Sequence, residues 1–330
     1  MLSDLINKIF EINNEEEFNK IALKTFLHQY ENNAVYKTFI DMIGRDIHQI
    51  SHYSQIPFLP IEFFKTHKII SGIASIQASF CSSGTTGQTR SFHHVTDLSV
   101  YEKSAMISFE NFYGNISDHT FLALLPSYAE RQDSSLVWMT NHFINHSHFK
   151  SDCGFYLDNH AELLSKLKIL SRDKTRKVLL LGVSFALLDL SEKIDFPLNN
   201  VVVMETGGMK GRRREMIREE LHEILTGKFQ VASIHSEYGM TELLSQAYSQ
   251  GKGIFNCPPW MKILIREIND PFTLSQTGQS GGINIIDLAN INSCSFIATQ
   301  DIGRCFDNGQ FEVNGRFDSS EIRGCNLMSL

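Results

Sequence analysis

No apolar run in the 330-residue sequence reaches the length needed to cross a membrane. The opening residues, Met1-Leu2-Ser3-Asp4-Leu5-Ile6-Asn7-Lys8, lack the apolar core and cleavage site of a signal peptide, so the cytoplasm is the expected location. Positive charge is in deficit: 30 Lys and Arg against 37 Asp and Glu give a net charge of −7, which argues against nucleic acid as the main partner. The six cysteines (Cys81, Cys153, Cys257, Cys294, Cys305 and Cys325) show no Cys-x-x-Cys spacing. No structural zinc site is therefore visible, and reduced thiols are expected. Internal repeats, low-complexity stretches and long linkers are missing too. What is present is an ordinary globular composition, 42% hydrophobic and 20% charged, in a chain long enough for one large or two unequal domains.

The most conspicuous stretch is Ser82-Ser83-Gly84-Thr85-Thr86-Gly87-Gln88-Thr89-Arg90, which follows a strand-like alternation over Ile76-Gln77-Ala78-Ser79-Phe80-Cys81. Glycines let backbone N–H groups approach phosphate oxygens, hydroxyls donate, and Arg90 adds charge. A polar surface loop is the alternative reading. The Gly-Lys-Ser/Thr ending of the usual nucleoside-triphosphate loop is absent, so that fold is not implied.

Residues 1–75 read as a helical N-terminal segment, with Asn14 capping an acidic first turn and Phe18, Ile21, Ala22, Thr25 and Phe26 recurring at helical spacing. Pro57 and Pro60 break the chain before Ile61. A helix is expected from Leu98 to Phe112 with Ser99 as its cap. His93 and His94 follow the loop closely; adjacent strand residues face opposite ways, so at most one reaches the loop's ligand, and a solvated pair is the competing and preferred reading. Strands are expected at Phe121–Leu125, Val178–Gly182, Val201–Met204 and Phe229–Ile234, separated by helices, one of them opened by Arg212-Arg213-Arg214 and carrying Met216 and Ile217. This alternation over residues 76–260 predicts a largely parallel α/β core. Past Trp260 short strands without helices predict a small β subdomain over residues 261–312, followed by a short tail, 313–330. Gly207 and Gly208 permit close backbone approach to a flat or phosphate-bearing ligand. Thr241 beside Glu242 suits a phosphate and its magnesium, the hydroxyl donating and the carboxylate holding a hard cation.

Four stretches in order, Ser82-Ser83-Gly84-Thr85-Thr86-Gly87, Tyr238-Gly239-Met240-Thr241-Glu242, Thr299-Gln300-Asp301-Ile302-Gly303-Arg304 and Gly315-Arg316-Phe317-Asp318, resemble the adenylate-forming superfamily of acyl-CoA synthetases, peptide-synthetase adenylation domains and luciferases. The closer resemblance, across essentially the whole chain, is to the acyl-protein synthetase (LuxE) family. It is carried by Gln29-Tyr30-Glu31-Asn32-Asn33, Ile56-Pro57-Phe58-Leu59-Pro60-Ile61, Phe63-Phe64-Lys65-Thr66-His67, Leu125-Pro126-Ser127-Tyr128, Arg131-Gln132-Asp133-Ser134-Ser135-Leu136 and Arg323-Gly324-Cys325-Asn326-Leu327. The resemblance implies an acid–thiol ligase with the α/β fold of the superfamily's N-terminal domain. Such an enzyme activates a carboxylic acid, normally a fatty acid, with ATP and Mg2+. By motif position, Ser82, Ser83, Gly84, Thr85, Thr86 and Gly87 would hold the β- and γ-phosphates. Thr241 would meet the α-phosphate and Glu242 the magnesium. Gly207, Gly208 and Tyr238 would border the adenine, and Asp301, with Arg316 nearby, would accept from the ribose hydroxyls. Ion pairing within the fold accounts equally well for Asp301 and Arg304 taken singly.

Two departures stand out. The usual Thr-Gly-Asp is Thr299-Gln300-Asp301, which keeps the aspartate but changes the turn. The sequence also ends at Leu330, just past the point where superfamily members hinge into a mobile C-terminal domain bearing a catalytic lysine. Without that domain, efficient acyl-CoA formation is not expected. Cys325 offers a substitute: a thiolate attacks an acyl-adenylate readily, and Arg323 favours the thiolate. In the family a cysteine near the C-terminus is acylated and passes the chain to an acyl reductase, the expected partner. Cys81 is the rival, and the other four cysteines read as buried fillers. Alternatives are a ligase acting on a small-molecule or carrier-protein thiol, and a non-catalytic nucleotide-binding subunit of a reductase complex. The sequence leaves an oligomer open.

Overall fold

The computed structural model describes residues 2–83, 89–207 and 216–317. Helices α1 (Leu2–Ile9), α2 (Glu15–Asn32) and α3 (Ala34–Met42) open the chain. Asn14 caps α2 by accepting from the Glu17 N–H, beside the acidic first turn that favours the helix N-terminus. The expected stripe of Phe18, Ile21, Ala22, Thr25 and Phe26 is buried, and Gln29 is buried with it. A buried amide must find partners. The Gln29 Nε2 donates to the carbonyls of Asn290 and Ile291, each at 3.0 Å, and its Oε1 accepts from the Ser295 N–H at 3.0 Å. Asn33, which caps α3, also donates to the Ser293 carbonyl at 2.9 Å. These helices are thus pinned to a loop some 260 residues further on.

Strand β1 (Leu59–Pro60) and helix α4 (Phe63–Thr66) lead to the hairpin β2 (Ala78–Cys81) and β3 (Phe92–Val95), which forms a sheet of its own. Helix α5 (Leu98–Tyr113) follows; its cap is Asp97 rather than Ser99. Asp97 is the extended residue just before the helix, while Ser99 already lies within it; the Asp97 carboxylate accepts from the Ser99 N–H at 3.0 Å and from its hydroxyl at 2.6 Å. Then come β4 (His119–Leu124), α6 (Ser135–His146), β5 (Gly154–Phe155), α7 (His160–Leu170), β6 (Lys177–Val183), α8 (Ser184–Ser191), β7 (Val201–Thr206), α9 (Arg218–Phe229), β8 (His235–Tyr238) and β9 (Ala247–Ser249). Their sheet runs β5-β4-β6-β7-β8-β9, parallel from β5 to β8 and antiparallel only at β9. Near-continuous burial along β4, β6 and β7 is what a parallel sheet covered on both faces requires.

Two expectations are corrected here. The strand expected at Phe229–Ile234 lies later, at β8. Phe229 is fully buried as the last residue of α9, and Gln230 closes that helix in the left-handed region, φ 54°, donating its N–H to the Thr226 carbonyl. At the other end α9 begins only at Arg218; Met216 and Ile217 precede it, and the Ile217 side chain is 68% exposed. Arg212, Arg213 and Arg214 lie outside the described residues.

The remaining strands are β10 (Ile254–Phe255), β11 (Met261–Arg266), β12 (Gly281–Asp287), β13 (Phe296–Cys305) and β14 (Phe311–Arg316). They form an antiparallel sheet in the order β10-β14-β13-β12-β11, and β1 joins it in parallel with β13 through Leu59↔Ile297 and Pro60↔Ala298. Among the described residues no helix is long and apolar enough to cross a membrane.

Candidate active site

The parallel sheet ends where β7 and β8 deliver their C-terminal residues, the usual place for ligands in an open α/β sheet. Tyr238, the last residue of β8, sends its hydroxyl across to the antiparallel sheet and donates to Asp301 Oδ2 at 2.8 Å. Asp301 Oδ1 faces Arg316 Nε at 2.9 Å. The pairing follows from register, since Asp301 on β13 stands opposite Arg316 on β14. Asp301 is buried while Arg316 is 68% exposed, so one carboxylate holds both an interior phenol and a guanidinium open to ligand. Rings of Phe255 and Phe311 pack edge-on to Tyr238 and fix its direction.

Glu242 lies close enough to feel both Arg316 and Asp301. Burial pushes its carboxyl above the usual carboxylate range, against the Ser91 hydroxyl and Arg316, which favour the charged form. Among the described residues no cation forms an ion pair with it. Thr241 is half-buried beside it, and its carbonyl meets His93 Nδ1 at 2.9 Å.

The hairpin carrying the candidate phosphate loop is closed at its base. Ser82 N–H donates to the Ser91 carbonyl at 3.1 Å, and Ser91 N–H donates to Ser82 Oγ at 2.9 Å. The family stretch around Asp133 braces it: Cys81 N–H donates to the Asp133 carbonyl at 2.7 Å, and Arg90 lies 3.6 Å from the Asp133 carboxylate. Ser82 is half-buried and Ser83 exposed; Gly84, Thr85, Thr86 and Gly87 lie outside the described residues, as do Gly208 and Cys325. Gly207 is described: its φ of 69° is a conformation that favours glycine, and its carbonyl accepts from Ser184 Oγ. Beneath it Glu205 is buried. Burial opposes its charge, but His222, Arg218 and Ser236 outweigh that and hold the carboxyl below the usual range. Arg218 also donates to the Val313 carbonyl at 2.9 Å, tying the two large sheets together.

Tyr238, Thr241, Glu242, Asp301 and Arg316 thus converge, with Ser82 and Ser83 on the hairpin above them. Arg304 is accounted for within the fold, paired with Glu312 at 2.7 Å. Gln300 stands inside β13 rather than in a turn, and its amide donates to the Glu62 carboxylate. Gln300, where the resemblance leads one to expect glycine, therefore tethers β13 to the N-terminal segment. The histidines are not a solvated pair. Alternation along β3 buries His93 to 1% exposure and leaves His94 half-buried against Ser79. Burial pushes the His93 ring down to about 4, so it is neutral at physiological pH. The adjacency of His93 and His94 to the loop was one available signal and the departure at Gln300 another; Asn290 and Glu62 carried none.

The cysteine expectations divide. Of the four expected buried fillers only Cys294 is buried, whereas Cys153, Cys257 and Cys305 are half-buried, and Cys81, the expected rival, is buried as well. Burial raises the Cys294 thiol to about 12 and the Cys305 thiol to about 11; Cys153 and Cys257 are raised too. Thiols kept protonated in this way are poor nucleophiles.

Glu237, beside Tyr238, is buried, and burial, with Glu205 on the next strand, raises its carboxyl to about 7 although Thr206 donates to it. A group that is protonated more readily in the folded state favours folding at low pH. That contribution is complete below about pH 4.5 and is lost as pH rises to about 7. Urea unfolding of Glu237→Gln is therefore expected to show on the order of 2–3 kcal/mol less loss of stability between pH 5 and pH 8 than the parent. An unchanged pH slope would contradict it.

A family model described as acyl-protein synthetase, LuxE, matches residues 7–329. No curated protein matches the chain. Among solved structures, ATP-bound MatB from Rhodopseudomonas palustris is similar at 14% identity and a TM-score of 0.55, over 74% of this chain and 49% of that one. An open conformation of 2-hydroxyisobutyryl-CoA ligase in complex with 2-HIB-AMP and CoA is similar at 12% identity and a TM-score of 0.66, over 96% of this chain and 76% of that one. The same ligase in the postadenylation state gives 10% identity and a TM-score of 0.67. The chain spans about half the length of MatB. At these identities the likeness is one of fold: a mixed α/β arrangement like the N-terminal part of adenylate-forming enzymes.

Proposed function

The chain belongs to the acyl-protein synthetase (LuxE) family of adenylate-forming ligases, and from that premise we propose that it activates a carboxylic acid, a fatty acid in the family's manner, as an acyl-adenylate and then loads Cys325. The observation that carries this reading is the convergence of Tyr238, Asp301, Arg316 and Glu242 at the ends of two sheets. A carboxylate is a poor electrophile because its charge repels nucleophiles and oxide leaves badly. In the first step a carboxylate oxygen of the acid attacks the α-phosphorus of ATP, and the bond to pyrophosphate breaks. In the second the Cys325 thiolate attacks the acyl carbon, AMP departs, and a thioester remains for transfer to an acyl-reductase partner.

Tyr238, Asp301 and Arg316 are already paired, so their task needs no reorganisation at the moment of reaction. Asp301 accepts from the ribose hydroxyls while Tyr238 and Arg316 hold it in place. Gly207 and Gly208 border the adenine. The loop from Ser82 to Gly87 holds the β- and γ-phosphates, and Thr241 donates to the α-phosphate. Glu242 suits Mg2+: a buried, hard oxygen ligand with no cationic partner among the described residues fits an ion that binds one carboxylate plus phosphate oxygens. When bound, that ion would screen the charge of the departing pyrophosphate.

The test is carboxylate-dependent exchange of labelled pyrophosphate into ATP across acids of increasing chain length, in parent and Cys325→Ser protein. Exchange with one class of acid, retained in Cys325→Ser while covalent acyl label is lost, is the expected result. No exchange by folded protein with Mg2+ present would refute adenylation. Undiminished covalent labelling of Cys325→Ser would refute that cysteine's role.

A further inference from the structure

The return strand of the phosphate hairpin touches the Thr241–Glu242 pair directly. His93 leaves β3 on the buried side, where its ring packs edge-on to Phe64 with centroids 5.9 Å apart. Its Nδ1 lies 2.9 Å from the Thr241 carbonyl. A carbonyl only accepts, so the contact places the ring proton on Nδ1 and leaves Nε2 as the bare nitrogen. Nε2 is buried without a hydrogen-bond partner, on the side where Asn290 lies. Asn290 in turn donates from Nδ2 to the Glu242 carbonyl at 2.7 Å. Two consecutive backbone carbonyls are thus held by side chains from two different parts of the fold. Asn290 is itself fixed, because its own carbonyl accepts from Gln29 of α2.

We propose that His93 is a positioning residue for adenylation: through the Thr241 carbonyl it locks the Thr241–Glu242 pair to the strand that carries the phosphate loop. This rests on the reading of the site given above. By that reading the loop and the Thr241–Glu242 pair act on the same phosphates. The loop is carried by the β2–β3 hairpin and the pair by the turn after β8, and the described contacts between these carriers include Ser91 against Glu242 and His93 against Thr241. Losing the His93 bond frees the pair to drift relative to the loop. A displacement of about 1 Å in such an arrangement costs up to about 100-fold in rate. The described contacts of His93, with Phe64 and the Thr241 carbonyl, involve no residue assigned to the acid, so the KM for the acid is expected to hold.

The experiment measures pyrophosphate exchange in His93→Leu, His93→Asn and His93→Gln, beside Glu242→Gln, with thermal unfolding of each. His93→Leu is expected to lower kcat roughly 30- to 100-fold, leave the KM for the acid within about twofold, and raise the Mg2+ concentration giving half-maximal exchange. His93→Asn keeps an amide donor near the position of Nδ1 and is expected to recover most of the rate. His93→Gln, whose donor sits near the position of Nε2, is not. A filler of space alone would favour the larger glutamine over asparagine. Exchange by His93→Leu at the parent rate, or by His93→Gln at or above the rate of His93→Asn, overturns the proposal, and the second comparison stands even where the leucine variant fails to fold. Loss of exchange in the parent, or full exchange in Glu242→Gln, would instead overturn the reading of the site.

Discussion

Asp301→Ala is expected to lower kcat/KM for ATP in pyrophosphate exchange about 100- to 1000-fold, with little change in the KM for the acid. A hydrogen bond to a charged group contributes roughly 1.5–3 kcal/mol, and two ribose hydroxyls would lose such a partner together. At about 1.4 kcal/mol per factor of ten, the lower part of that sum, about 3–4 kcal/mol, gives the stated range. Local damage adds to it, because the Tyr238 hydroxyl loses its acceptor and the Arg316 guanidinium its counter-ion. Asp301→Asn separates the two effects. It retains an acceptor for Tyr238 but weakens both the ribose contact and the ion pair, so most of the loss should remain. Steady-state exchange with varied ATP checks both variants, and a loss below tenfold in the alanine variant would remove Asp301 from the nucleotide site.

Asp287→Ala is expected to cost about 3–5 kcal/mol of stability, a fall in Tm of roughly 4–7 °C. Asp287 closes β12 and is fully buried. Its carboxylate accepts from the Leu244 N–H at 2.8 Å, the Ser245 N–H at 3.0 Å and the Ser245 hydroxyl at 2.5 Å. Burial pushes its carboxyl above the usual range, and these donors, together with the Ala289 N–H, pull it back. Truncation strands two backbone donors in the interior, each costing about 1–3 kcal/mol. The same Ser245 hydroxyl takes a hydrogen bond from Trp260 Nε1 and meets Ser104 Oγ, so the loss spreads to the turn before β11 and to α5. Asp287→Asn keeps one accepting oxygen and should lose less. Because Leu244 and Ser245 lie on the turn just after Glu242, with only Leu243 between, activity should fall before unfolding sets in; calorimetry with exchange assays below Tm tests both.

The residues that converge were singled out in the sequence by their resemblance to family motifs, not by periodicity. Tyr238 and Glu242 lie close together in one such motif, whereas the opposition of Asp301 and Arg316 on adjacent strands came only with the fold. The parallel core did follow from periodicity, since buried strands alternating with helices leave few other arrangements. What escaped was of two kinds. Boundaries were ambiguous where a residue satisfies either state: Phe229 begins an apolar run that suits a strand, yet its side chain completes a helix. Long-range partners were invisible. Alternation shows that one of His93 and His94 faces inward but not which one. Nothing near Gln300 announces a carboxylate at Glu62, 238 positions earlier. Gly84, Thr85, Thr86, Gly87, Gly208 and Cys325, for which the sequence made its most chemical claims, lie outside the described residues.

The parallel pairing of β1 with β13, together with the Gln29 and Asn33 contacts near Ser295, has a consequence for synthesis on the ribosome. Gln29 and Ser295 are separated by 266 positions. At about 5–20 residues per second, an amide that ends in the interior waits roughly 13–50 s for its partner. Throughout that interval the first sixty residues expose Phe18, Ile21 and Phe26 with no sheet to cover them. The nascent chain therefore offers an apolar surface to chaperones for most of its elongation. Slowing translation should lengthen that exposure and lower the soluble yield, whereas moving the first helices to the end of the chain in a circular permutant should shorten it.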